Sequence, residues 1–147
     1  MASIARVKRA HRHLAAETAR AVDDAMAFAG RFAVQHVHDH PEFKPRTGAL
    51  QSATKARVVR TKGGKLLKLS NRKPYAAAID RGARPHVIRA KSGGVLRFRG
   101  RNGWVSKREV QHPGNRPYKF LYRAHSAAYR VLGTNLTQRL TAIARRF

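Results

Sequence analysis

The sequence predicts an α+β protein, in which a long N-terminal helix and a long C-terminal helix flank a small antiparallel β-sheet. Three observations support this fold class. Apolar residues recur at spacings of three and four near both ends of the chain, which is the helical period. The middle of the chain has short alternating or β-branched runs with glycine pairs between them, which is typical of hairpins. Strands grouped between helices favour an antiparallel sheet over a doubly wound parallel one.

The N-terminal helix is predicted from Ile4 to about His38. Its apolar stripe contains Ile4, Val7, Leu14, Ala21, Val22, Ala25, Phe28, Ala29 and Phe32. Arg20 and Asp24 are four residues apart and can pair on the solvent face. Gly30 is costly inside a helix, so it predicts either a kink or a close contact. Pro41 ends the element.

The first part of the middle region is predicted to contain two short helical segments and one hairpin. Thr47-Gly48-Ala49-Leu50 opens one or two helical turns. Residues 55–61 and 65–71 alternate or carry β-branched side chains around Gly63-Gly64, which indicates a hairpin. Residues 74–80 are rich in alanine and predict a short helix, which Gly82 ends.

The second part of the middle region is predicted to contain three more strands. Residues 86–89 and 95–99 are expected to pair as a hairpin around Ser92-Gly93-Gly94. Asn102-Gly103 is the strongest turn signal in the chain, and residues 104–106 form the strand that returns from it.

The C-terminal helix is predicted to occupy residues 117–147. Asn115 can cap this helix and Pro117 suits its first turn. Gly133-Thr134-Asn135 predicts a break into two helices. The apolar stripe of the helix consists of Leu121, Ala128, Leu132, Leu136, Leu140, Ile143 and Phe147.

Length and composition predict one soluble domain. The 147 residues suit one domain of ordinary size, and 42% of them are hydrophobic, which is enough for a packed core. We therefore expect a single domain over residues 1–147, with the N-terminal helix in residues 1–40, a β-rich core in residues 47–112 and the C-terminal helix in residues 117–147. Cysteine is absent. The sequence has neither an apolar run near the ~18 residues that span a bilayer nor the apolar core of a secretory signal, so we expect no membrane partner.

Positive charge is concentrated in the later two-thirds of the chain. The 32 Lys and Arg residues outnumber the 7 Asp and Glu residues, which gives a formal net charge of +25. Residues 51–147 carry a net charge of +22, whereas residues 1–50 carry +3. Like charge at this density repels itself unless a polyanion or an acidic partner neutralises it. Nucleic acid is the obvious polyanion and an acidic neighbouring subunit is the alternative, and composition leaves both open.

The segment from Arg97 to Trp104 interleaves cations with aromatic residues on a predicted hairpin. On a strand, Arg97, Arg99 and Arg101 share one face and can contact phosphates or an acidic partner. Trp104 could stack on a base. We expect instead that Phe98 and Trp104 face the core, and that the three arginines form the contact surface.

The sequence lacks a typical catalytic constellation. His36 and His40 are four residues apart and could hold a divalent ion with Asp39, but no third or fourth ligand is clearly nearby. Asp80 and Glu109 lie among cations, which favours ion pairing over acid–base chemistry. A nucleophile elbow, a P-loop and a dinucleotide-binding motif are all missing. We expect no enzymatic activity, no catalytic residue, no cofactor and no metal site. A metal-dependent nuclease is the one enzymatic alternative.

Several short motifs follow one another between residues 45 and 125. In chain order they are Thr47-Gly48-Ala49-Leu50-Gln51-Ser52, Pro74-Tyr75-Ala76-Ala77-Ala78-Ile79-Asp80-Arg81-Gly82, Arg84-Pro85-His86-Val87-Ile88-Arg89-Ala90-Lys91, Leu96-Arg97-Phe98, Val110-Gln111-His112-Pro113-Gly114 and Phe120-Leu121-Tyr122-Arg123-Ala124. In order and spacing, this set resembles the tail-component family of tailed phages typified by gene product 10 of phage HK97. Two positions depart from the family pattern: Asp80 stands where Glu is usual, and Tyr118-Lys119 replaces a Pro-Phe junction.

The resemblance implies a structural role. The residues that match the family motifs are Thr47, Gly48, Leu50, Tyr75, Ala76, Asp80, Gly82, Pro85, His86, His112, Pro113, Gly114 and Phe120. The resemblance implies a virion protein at the phage neck or upper tail, which acts in tail completion or head–tail joining around the DNA channel after assembly in the host cytoplasm.

The partners that the resemblance implies are further copies of the chain and neighbouring phage proteins. We expect a homo-oligomeric ring, most simply a hexamer, that contacts an adaptor or stopper, the tail terminator and the tail tube, with genomic DNA in its channel. The alternatives are that the chain is itself the tail terminator, or that it is a free basic nucleic-acid-binding protein.

Overall fold

The computed structural model describes residues 3–146, which form two compact units. The first unit contains residues 3–73 and 120–146, and the second contains residues 74–119. The predicted α+β class is confirmed, since a long helix lies near each end of the chain and all strand pairs are antiparallel. The strands form separate two-stranded ribbons and not one sheet.

Four helices and six strands make up the described chain. The helices are α1 (Ile4–Asp39), α2 (Ala49–Ser52), α3 (Ala76–Arg81) and α4 (Phe120–Ala144). The strands are β1 (Thr54–Thr61), β2 (Gly64–Asn71), β3 (His86–Arg89), β4 (Leu96–Gly100), β5 (Gly103–Lys107) and β6 (Glu109–His112). Every helix across residues 3–146 is too short or too polar to cross a bilayer.

Helix α1 packs lengthwise on α4 through small residues. It begins where the Ser3 hydroxyl accepts a hydrogen bond from the Ala5 amide at 3.3 Å. From residue 21 onward, the alanines that α1 has at helical spacing are buried, as are three alanines in the first half of α4, and the two helices are in contact. Small side chains allow the two helices to approach closely. The buried alanines are Ala21, Ala25, Ala29 and Ala33 of α1 and Ala124, Ala127 and Ala128 of α4.

Helix α4 differs from the prediction at both of its special points. The expected break at Gly133-Thr134-Asn135 is wrong, because the helix is continuous from Phe120 to Ala144. Packing on α1 along its length outweighs the ~1 kcal/mol that a helical glycine costs. The expected start is also wrong. Pro117 precedes the helix by three residues. The side-chain amide of Asn115 donates a hydrogen bond to the Ala78 carbonyl at 2.9 Å instead of capping α4.

The β1–β2 hairpin forms as the sequence predicts and packs on α1. Thr61 pairs with Gly64, so Lys62-Gly63 form the turn. Gly30 of α1 faces this hairpin, and a Cβ at this position would lie 3.2 Å from Leu67 Cδ1 and 3.3 Å from Ala56 Cβ. Gly30 was predicted to mark either a kink or a close contact, and the structure shows the close contact.

In the second unit, β3 pairs with β6, which corrects the predicted pairing of residues 86–89 with residues 95–99. His86 is opposite His112, and Arg89 is opposite Glu109. The β4–β5 hairpin lies between these two strands in the chain, and Gly94 closes the preceding turn on the Lys91 carbonyl at 3.0 Å. The prediction failed because turn signals report only on neighbours in sequence.

Two motif glycines allow the chain to close at the end of the β3–β6 ribbon. Ala83 and Asn115 exchange both backbone hydrogen bonds, at 3.0 and 2.9 Å. Gly114 has φ +79°, and a side chain there would collide with the Ala83 carbonyl oxygen. Gly82 has φ +84°, and a Cβ there would lie 2.9 Å from the Asn115 carbonyl oxygen. Only glycine meets both requirements, a left-handed φ and no side-chain volume.

Candidate nucleic-acid interface

Arg97, Arg99 and Trp104 lie on one face of the β4–β5 hairpin, which we call the Arg97–Trp104 face. Arg99 is directly opposite Trp104 in the antiparallel register, and opposite residues share a face. Arg97 is two positions from Arg99 and therefore lies on the same side of the strand. Its guanidinium lies 5.3 Å from the centre of the Trp104 ring, within cation–π distance.

The aromatic side chains of this hairpin are exposed, which corrects the expectation that they face the core. Trp104 is 68% exposed and Phe98 is 38% exposed. Phe98 lies on the opposite side of the hairpin from Arg97 and Arg99, across from Val105. Trp104 lies beside the arginines because the register pairs it with Arg99. Its ring therefore packs against the Arg97 guanidinium and not against core residues.

Arg101 does not share the face of Arg97 and Arg99. Gly100 pairs with Gly103, so Arg101-Asn102 form the two-residue turn at the tip of the hairpin. This turn lies one residue earlier than the predicted Asn102-Gly103 turn. The predicted row of three arginines is therefore a pair of arginines with an exposed tryptophan, and Arg101 adds positive charge at the tip.

The positive charge of this hairpin is not neutralised by a carboxylate among residues 3–146. The ion pairs of the described chain are Arg89–Glu109 at 3.3 Å, Arg123–Glu42 at 3.1 Å, Arg139–Asp24 at 3.1 Å, Arg146–Glu17 at 3.7 Å and Lys65–Asp23. The local spacing predicted that Asp24 pairs with Arg20, but Asp24 pairs with Arg139 of α4 instead. Five of the seven acidic side chains form these pairs with cations outside the β4–β5 hairpin, and the Arg97–Trp104 face keeps its charge available to an external anion.

His36 and His40 meet at the C-terminal end of α1 but do not assemble a metal site. Their rings stack with centres 4.7 Å apart. The neighbouring Asp39 carboxylate accepts a hydrogen bond from Gln35 at 2.8 Å. Burial and then the charge of His40 lower the pKa of His36, although Glu42 and Asp39 oppose this shift. Within residues 3–146, no three His, Cys, Asp or Glu side chains converge closely enough to hold a metal ion.

The motif histidines His86 and His112 form a second pair, across the β3–β6 ribbon. Their ring centres are 5.0 Å apart. His112 Nδ1 accepts a hydrogen bond from the Gly114 amide at 3.0 Å. His86 Nδ1 lies 2.8 Å from the Arg84 carbonyl, to which it donates. Both rings therefore hold the backbone around the motif residues Pro85 and Pro113.

The motif residues of the first unit also have packing and turn roles. Gly48, with φ +68°, precedes α2, and the Thr47 hydroxyl accepts from the Ala49 amide at 3.4 Å. Leu50 is buried. Phe120 is buried against Phe43 in an edge-to-face contact, with ring centres 5.3 Å apart.

The remaining motif residues belong to α3 and its surroundings in the second unit. Ala76 is buried, whereas Tyr75 is 45% exposed and precedes the helix. The Asp80 carbonyl accepts a hydrogen bond from the Lys119 amide at 2.9 Å. These contacts connect the start of the unit to its end.

Two asparagines connect separate segments: nothing in the sequence indicated a role for Asn71, and the capping role predicted for Asn115 is wrong. Asn71 donates to the Leu50 carbonyl at 2.6 Å and to the Thr54 hydroxyl at 2.9 Å. Asn115 donates to the Ala78 carbonyl at 2.9 Å. Asn71 ends β2 and Asn115 lies between β6 and α4, and the local sequence does not indicate which distant carbonyl either side chain reaches.

Comparisons of the chain with protein-family models, with curated proteins and with solved structures find no match. The resemblance to the phage tail-component family therefore depends on the motif residues themselves. The structure places these residues at α2, at α3, at the ends of the β3–β6 ribbon and at the start of α4.

Proposed function

We propose that the protein is a structural subunit of a tailed-phage particle, which acts at the neck or upper tail in tail completion or head–tail joining. The observation that carries this proposal is the use of the motif residues in the fold. Gly82, Gly114 and His112 close one junction, and Phe120 packs in the first unit. Residues with these roles define a shape and supply no reactive group, which supports an architectural function.

The Arg97–Trp104 face supports the proposal that this subunit binds DNA. Two co-facial arginines contact phosphates without reading sequence, which suits a channel through which DNA of any sequence passes. The exposed Trp104 ring adds a surface on which a base or sugar can pack. This exposed ring beside the two arginines is the reason that we favour DNA over an acidic subunit, because the net charge of residues 51–147 suits either partner.

The assembled form in this proposal is a homo-oligomeric ring, most simply a hexamer, that surrounds the DNA. Its neighbours are the adaptor or stopper on the head side, and the tail terminator and tail tube on the tail side. Closed rings form when one surface of a subunit contacts a different surface of the next.

The test uses a phage that encodes this chain, with a nonsense mutation in its gene. We expect electron microscopy to show DNA-filled heads and separate tails, which join when purified wild-type protein is added. An antibody label on complete particles should lie at the neck, and averaged images should show cyclic symmetry. Normal particles from the mutant, or a label on the capsid shell, would contradict the proposal.

A matched pair of variants then tests the DNA face in the same joining assay. The Arg97→Glu/Arg99→Glu/Arg101→Glu variant should retain the wild-type circular-dichroism spectrum but join heads to tails poorly. The control is Arg57→Glu/Arg60→Glu/Lys62→Glu, which changes the charge equally on exposed positions of the first unit. Equal joining by both variants would mean that the Arg97–Trp104 face is only solvated.

A further inference from the structure

Residues 4–16 of α1, which we call the arm, extend past the end of α4. Every side chain of residues 3–16 is exposed, and the first buried residue of the helix is Ala21. Helix α4 ends at Ala144, and Arg146 beyond it pairs with Glu17 at 3.7 Å. The cover that α4 gives to α1 thus ends near Glu17. About 20 Å of helix, at 1.5 Å per residue, continues beyond it.

The arm has an apolar row that continues the side of α1 that faces α4. Val7, Leu14 and Ala21 are spaced by seven residues and so lie nearly in line along the helix. Ala21 is buried beside Ile143 of α4, whereas Val7 is 58% exposed and Leu14 is 36% exposed. Ile4, at 75% exposed, extends the row by one turn. Among residues 3–146, the face that packs on α4 in the folded body has no helix to pack on in the arm.

Cations surround this row, and the arm contains no carboxylate. Arg6 and Lys8 are the neighbours of Val7 in sequence, so they flank the row on its two sides. Arg9 and Arg12 lie on the far side of the helix. The first acidic residue of the chain is Glu17, where the arm ends.

We propose that the arm is a docking helix for an acidic amphipathic helix of another protein. Such a partner would cover Val7 and Leu14 as α4 covers Ala21, and its carboxylates would pair with Arg6 and Lys8. Helix-in-groove recognition of this kind depends on an apolar row with spacings of three, four and seven residues. The proposal concerns a different surface from the Arg97–Trp104 face and is independent of the phage assignment.

Three other occupants fit the arm less well. A second copy of the arm would bring like charges together, since residues 4–16 carry only cations. Nucleic acid would neutralise the cations but would leave the apolar row uncovered. An anionic membrane surface prefers helices with bulky anchors such as Trp or Phe, and the arm has neither.

The test measures binding of a fluorescent, stapled helical peptide to the full chain by anisotropy. The peptide carries leucines at spacings of three and four with glutamates on both sides, and its control is a scrambled peptide of the same composition. The variant Val7→Asp/Leu14→Asp removes the row. The matched variant Ala5→Asp/Ala16→Asp makes the same charge change on the opposite side of the arm. Both substitutions are at exposed positions, so both proteins should melt as wild type does.

We expect the row variant to bind the leucine peptide at least about tenfold more weakly than wild type, because two buried apolar contacts are lost. The matched variant should weaken binding by less than about threefold, as exposed charge changes do. The scrambled peptide should bind weakly and equally to both variants. Equal losses for the two variants would overturn the proposal, because they would mean that only charge is recognised.

Two further measurements test the competing occupants. Sedimentation should show that the arm does not pair with itself. A wild-type dimer that becomes a monomer in the row variant would assign the arm to a second copy. Binding to phosphatidylglycerol vesicles or to duplex DNA should be equal for the two variants. Vesicle or DNA binding that is lost only in the row variant would overturn the proposal in favour of that ligand.

Discussion

The two arginines of the Arg97–Trp104 face should set a measurable part of the salt dependence of DNA binding. Each phosphate that a protein neutralises contributes about −0.9 to the slope of log K against log salt concentration. Replacement of Arg97 and Arg99 by Gln should therefore make the slope about 1.8 less steep. Between about 50 and 200 mM salt, wild type should lose about tenfold more affinity than this variant. Fluorescence anisotropy with a labelled duplex measures the slope directly.

The chain supplies both a control and an internal probe for this experiment. The Arg57→Gln/Arg60→Gln variant removes the same charge from exposed positions of β1, but these residues are three apart and point to opposite sides of the strand. Trp104 is the only tryptophan, so its emission should be quenched when single-stranded DNA stacks on the face. The reasoning is refuted if both double variants change the slope equally, or if Arg97→Gln/Arg99→Gln leaves the wild-type slope unchanged.

Three further predictions concern stability and activity. Gly114→Ala should lower the free energy of unfolding by about 1–3 kcal/mol in urea titrations, because the Ala83 carbonyl blocks a side chain there and φ is positive. The control Gly133→Ala lies in open space on α4 and should raise the free energy of unfolding by up to about 1 kcal/mol. Equal effects of the two substitutions would contradict this prediction. Because the pKa of His36 is lowered in the folded protein, the unfolded chain binds this proton more tightly, and the free energy of unfolding should fall as the pH drops below about 6.5. His36→Gln should reduce this loss when urea denaturation at pH 7.5 is compared with denaturation at pH 5.5. Linear DNA incubated with the protein and Mg²⁺, Mn²⁺ or Zn²⁺ should stay intact on a gel, and cleavage that disappears in His36→Ala/His40→Ala would reverse this prediction.

Several elements could be predicted because their signals are local. The helical period of the first forty residues predicts α1 to within one residue of its observed end. The glycine pair at positions 63 and 64 predicts the β1–β2 hairpin, because a tight turn and its flanking strands are adjacent in sequence. Gly82 predicts the end of α3, because a glycine that ends a helix directly follows its last turn in sequence.

The candidate interface could be predicted only in part. Alternation along one strand correctly places Arg97 and Arg99 on the same side. The position of Trp104 depends on the register between two strands, and a turn one residue earlier than expected pairs it with Arg99. The turn also removes Arg101 from the face, which residue types alone do not reveal.

The sequence by itself determined the class of each element, the surplus of positive charge and the scarcity of catalytic groups, because periodicity and composition are properties of contiguous residues. Only the tertiary structure decided which elements are partners. It pairs β3 with β6 across an intervening hairpin, gives Asp24 to Arg139 instead of Arg20, and keeps α4 continuous through Gly133. In each case, a contact with a residue far away in the chain outweighs a local preference of about 1 kcal/mol or less.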